Sequence, residues 1–169
     1  MLKKILFVTL VISSCYNNAI SQENTKDIGI IARITANIFA KDHFKLNIID
    51  DQVSSLLFDE YFKTLDPSKN YFTQEDIEKF SDYRFKLDDQ IKKSDINFAF
   101  EVYSYFVNRV ELYNKFANKL IDSSVKFDTD EEFRPDRSKL PYPKNYEELQ
   151  NVWIAKTKND LLYYRLAQR

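Results

Sequence analysis

Few residues in this chain have side chains able to act on a substrate, and their spacing limits them further. His43 is the only histidine and Cys15 the only cysteine. A zinc site needs several nitrogen, sulfur or carboxylate ligands converging on one point, which one histidine and no usable cysteine do not supply. A surface or helix-end position is the simpler reading of His43. The acidic pairs Asp50-Asp51, Asp88-Asp89 and Glu131-Glu132 carry the groups that bind cations or serve hydrolysis. Neighbouring carboxylates on a helix point in different directions, however, so solvated faces or helix caps account for them better. The sequence has no glycine-rich phosphate loop and no G-x-S-x-G elbow. Serines and lysines are plentiful, but none stands in a context that depresses a lysine pKa or activates a hydroxyl. No catalytic, cofactor-binding or metal-ligating residue is assigned.

Composition bounds what must position such groups. Of 169 residues, 44% are apolar and 15% aromatic, with a single glycine and four prolines. So little glycine leaves few tight hairpin turns and favours long helices. The formal charge is −1 and becomes more negative once Lys3 and Lys4 leave with a leader. Nucleic-acid binders concentrate basic residues on one face, so this class of partner is excluded.

Met1 to Ser21 reads as a secretion signal, with Lys3 and Lys4 as its positive start. Ile5 to Ile12 is an apolar run too short to span a bilayer. Two cleavage readings stand side by side. Ala19-Ile20-Ser21 offers small residues for a cut before Gln22, whereas Ile12-Ser13-Ser14-Cys15 is similar to a lipobox, with Cys15 as the lipidated first residue. The expected destination is the bacterial envelope, on its periplasmic side, either soluble or anchored to the membrane through Cys15.

The remaining residues, 22–169, read as one all-α domain: an irregular bundle of about five helices with a long proline-containing strap. Ile31, Ile34 and Ile38, with Ala32, Thr35 and Phe39, form the expected buried stripe of the first helix. Asp50 or Asp51 caps the second, whose inward face is Val53, Leu56, Leu57, Phe58, Tyr61 and Phe62. A third helix starts after Thr73 and runs to about Lys92. Ser94 caps a fourth, which extends to about Asp122 and carries so many large apolar groups that neighbours should surround it. Core burial is the expected fate of its aromatic residues, with an exposed docking patch as the alternative. Pro135, Pro141 and Pro143 then impose an extended strap over Arg134 to Asn145, pinned by Tyr142. Asn145 and Glu148 begin the last helix.

The chain is organised around Phe58 to Phe80. Asp66-Pro67 ends the second helix, because proline disfavours helical backbone in the residue before it. Ser68, Lys69 and Asn70 turn the chain. Thr73 and Asp76 form a capping box, flanked by Phe72 and Ile77 in the positions of a hydrophobic staple.

The same stretch, LDPSKNYFTQEDIEKF from Leu65 to Phe80 followed by LDDQI, resembles the N-terminal helical domain of the bacterial tail-specific proteases, the carboxy-terminal processing serine peptidases. DRSKLPYPKNYEELQNVWIAKTKNDLL, Asp136 to Leu162, carries the resemblance onward with its proline-aromatic-proline and its tryptophan and lysine. The resemblance implies that the complete enzyme takes apolar C-terminal tails through a PDZ domain and cuts them with a serine–lysine dyad. Both lie outside these residues, so this chain is expected to be cut short before them and to be no enzyme by itself. Its implied partners are the rest of the protease and a helical envelope lipoprotein adaptor, with no cofactor. The alternative is a stand-alone helical interaction module of the envelope.

Overall fold

The structure is a computed structural model that describes residues 25–41, 49–123, 125–127 and 132–168. Cys15, the leader and His43 lie outside the described residues. All regular structure described is helical: α1 over 25–41, α2 (Asp51–Leu65), α3 (Gln74–Lys79), a 3-10 turn (Ser81–Tyr83), α4 (Leu87–Lys92), α5 (Asn97–Asp122) and α6 (Tyr146–Ala167). There is no strand among them, in agreement with the all-α expectation. The chain divides into two compact units, the first reaching Ser54 and including Phe85–Asn97, the second comprising Ser55–Arg84 and Phe98–Arg169.

In the first unit, Asp50 opens α2 by accepting the N–H groups of Gln52 and Val53 at 3.0 and 3.1 Å. Ser54 is fully buried and accepts the N–H of Leu87 at 2.8 Å. Asp88, expected on a solvated face, is buried and pairs with Lys92 at 2.7 Å, one helical turn on. Ser94 does not cap α5. It stands in the left-handed region (φ 62°) just past α4, where its N–H reaches the Ile91 carbonyl and that of Asp95 reaches Gln90. This is the bonding pattern of a Schellman ending, with serine in the place glycine usually takes. Asp95 supplies the cap instead, accepting the Asn97 N–H at 2.9 Å.

The first helix also corrects the expected pattern. Gly29 is its buried residue: a Cβ there would lie 2.1 Å from the Ser94 carbonyl oxygen, so only glycine permits this approach. Small residues face inward, and the isoleucine stripe predicted for the core is turned outward, with Ile31 60% and Ile38 55% exposed.

The second unit is built on aromatic rings. Phe58, Phe62, Phe72, Phe80, Phe98 and Trp153 are buried, with Val102 and Leu149 between them. Phe62 meets Phe58 and Phe72 at centroid distances of 5.1 and 5.0 Å, spacings at which tilted rings attract. The third helix is not continuous to Lys92. Phe80 turns into the core beside Phe62 and Tyr105. The Arg84 guanidinium lies over the Phe58 ring and bonds Ser55 and Asp59. These anchors hold the 3-10 turn and interrupt the helix. On α5, Phe98 and Val102 are buried, whereas Phe100 and Tyr103 are 43% and 52% exposed. On α2, Leu56 and Leu57 are exposed as well. Burial of every aromatic is thus corrected: part of that wide apolar surface faces solvent.

Candidate functional site

The two stretches that carry the sequence pattern meet in the second unit. At the corner after α2, the Lys69 N–H reaches the Asp66 carbonyl at 3.1 Å across Pro67 and Ser68, closing a turn with proline in its favoured second place. Lys69 takes a positive φ of 53°. The chain then curls so that Asn70, Tyr71 and Phe72 point their N–H groups at the Asp66 carboxylate, at 2.8, 2.8 and 3.0 Å. Asp66 is 1% exposed. Burial pushes its carboxyl above the ordinary carboxylate value, while the three N–H bonds pull it down. A raised carboxyl is a candidate acid–base group. Here, though, both oxygens are occupied by backbone, and no substrate atom can approach. Its work is to shape the corner.

The strap completes that corner. The Pro143 and Lys144 carbonyls accept the N–H groups of Gln74 and Glu75 at 2.7 and 3.3 Å. The first turn of a helix has N–H groups without partners in the helix, and the strap supplies two of them for α3. The capping box supplies more: Asp76 N–H to Thr73 Oγ1 at 3.1 Å, and Thr73 N–H to the Asp76 carboxylate at 2.9 Å. Lys69 donates to the Leu140 carbonyl and lies over the Tyr142 ring. Trp153 of α6, fully buried among Tyr113, Phe116 and Tyr146, donates its indole N–H to the Asn70 carbonyl at 2.6 Å. Burial pushes the Tyr142 hydroxyl up to about 12, with the nearby Asp66 and Asp59 charges adding to it.

The capping residue Asp76 is also one half of a buried ion pair. Arg109 Nη2 reaches its two oxygens at 2.6 and 2.9 Å, and the Tyr105 hydroxyl donates to it at 2.6 Å. Burial would raise this carboxyl, but the bonds from Arg109, Tyr105 and Thr73 outweigh it and hold it below its ordinary value. The sequence showed Asp76 as a helix cap; nothing in it joined that residue to Arg109.

Lys156, the motif lysine, bonds Asp160 at 2.6 Å and lies over the Tyr113 ring. Burial lowers its pKa, but Asp160 and its other neighbours prevail and keep it above the usual lysine value. A general base needs the opposite shift. Among the described residues no group of three or more His, Cys, Asp or Glu side chains is placed to hold a metal ion, and no helix is long and apolar enough to cross a membrane.

The hollows among the described residues include two in the second unit. One, of about 290 Å³, lies at the corner between Phe62, Pro67, Lys69, Ile77 and Tyr142. The other, of about 300 Å³, lies between α6 (Ala155, Leu162) and Phe127 and Phe133. Beyond it Tyr163, Tyr164 and Leu166 at the end of α6 are exposed. At the corner Asp66, Lys69, Asp76 and Arg109 are engaged in joining its segments, and some apolar groups face outward.

Comparison with known proteins agrees with that description. A family model described as the tail specific protease N-terminal domain matches residues 34–169. A tail-specific protease of Haemophilus influenzae is 29% identical over 130 residues, which covers 76% of this chain and 19% of that relative. The chain therefore spans only a minor part of the relative's length. The motifs that meet at the corner and the strap fall inside the matched region, and the chain belongs to the tail-specific protease family, of which it carries the N-terminal domain.

Proposed function

We propose that this chain is the non-catalytic N-terminal portion of an exported tail-specific serine protease. When complete, that protease degrades or processes envelope proteins from apolar C-termini. The observation that carries the reading is the family match over residues 34–169, set beside a motif in which Asp66, Asp76 and Trp153 serve the fold. In the complete protein a PDZ domain and a serine–lysine dyad supply recognition and chemistry. The helices frame them and offer a docking surface to a helical envelope lipoprotein. Export follows from the leader, with Cys15 as the lipid attachment point in the anchored form.

The second reading is a stand-alone helical interaction module of the envelope. The observation in its favour is a patch of exposed apolar residues, Leu57 and Phe100 with Tyr103 beside the half-buried Tyr61. Aromatic residues in such a place are favoured anchors for a partner.

One experiment separates these from an independent enzyme. The purified chain is offered unstructured peptides with apolar C-termini, beside a full-length family member. The expected result is cleavage by the full-length protein only. Cleavage by this chain, abolished by a single serine-to-alanine substitution, would overturn the proposal. Downstream DNA that encodes a PDZ-like segment and a serine–lysine pair in frame favours the protease portion; a stop codon favours the module.

A further inference from the structure

We draw no further inference here: the strongest candidate, the exposed isoleucine face of α1 formed by Ile28, Ile31, Ile34 and Ile38, carries none because nothing in the structure shows what covers it.

Discussion

Replacing Arg109 by methionine tests whether the buried ion pair supports the second unit. Methionine keeps an unbranched apolar stem but withdraws the guanidinium that reaches both Asp76 oxygens. Asp76 is 4% exposed, so its carboxylate would remain buried with only the Tyr105 hydroxyl and the Thr73 N–H as donors. Removing one partner of a buried pair costs about 3–5 kcal/mol. The two remaining donors place the expected loss at the lower end, about 3 kcal/mol at pH 7. Adding Asp76→Asn removes the stranded charge and should recover about 1 kcal/mol or more of that loss. Trp153 is the only tryptophan and lies in this unit, so its fluorescence in urea follows the unit by itself. The pH dependence supplies an internal check. Asp76 titrates below its ordinary value of 3.8 in the folded protein. The stability it contributes is therefore complete above that value and is lost as pH falls through the lower folded value. In Arg109→Met burial remains and its main opponent is gone, so the carboxyl titrates above its ordinary value. The variant should gain stability on acidification from pH 7 toward pH 5, and the gap to the parent should narrow. A loss below about 1 kcal/mol at pH 7, or a gap that widens on acidification, would refute the reasoning.

Further outcomes follow from the same geometry. Trp153→Phe leaves the Asn70 carbonyl without its donor and should cost about 2–3 kcal/mol, followed by circular dichroism in urea. Tyr142→Ala removes a half-buried ring that carries the Lys69 ammonium; about 1–2 kcal/mol is expected from the same denaturation curves, and a change below about 0.5 would mean that the strap does not depend on it. Gly29→Ala drives a Cβ against a backbone carbonyl and should cost about 1–3 kcal/mol, read as faster amide exchange in α1. Ser94→Gly relieves a left-handed serine and should slow amide exchange in α4, by up to about 1 kcal/mol of added protection.

What the sequence made legible was local. The capping box of Thr73 and Asp76, the Asn145 cap that accepts the Glu148 N–H, and the Asp50 cap each involve residues two or three apart. Turn chemistry at Asp66-Pro67 was equally local. The burial of Phe58 and Phe62 followed from helical spacing. Spacing failed where a helix had two apolar sides: in α1 the larger side chains marked the stripe, but Gly29 was the one able to approach a backbone. Ser94 misled because serine prefers helix beginnings, whereas here the ending of α4 fixed its backbone first. The corner's function as a junction was not legible. The pairs that define it, Asp76 with Arg109 and Asn70 with Trp153, are 33 and 83 residues apart, and periodicity carries no information at that range.

The Asn70–Trp153 bond also orders events during synthesis. A ribosome adds about 5–20 residues each second, so roughly 4–17 seconds separate the two partners as they leave it. Throughout that interval the Asn70 carbonyl has only water to bond, for most of it the Gln74 and Glu75 N–H groups wait for the strap, and Tyr113 and Phe116, once made, lack the indole that later packs against them. Helices α2, α3 and α5 can form early because their bonds are local, but the corner is complete only when α6 arrives. The nascent second unit is therefore a sticky intermediate for seconds, and its last helix acts as the latch that ends the exposure.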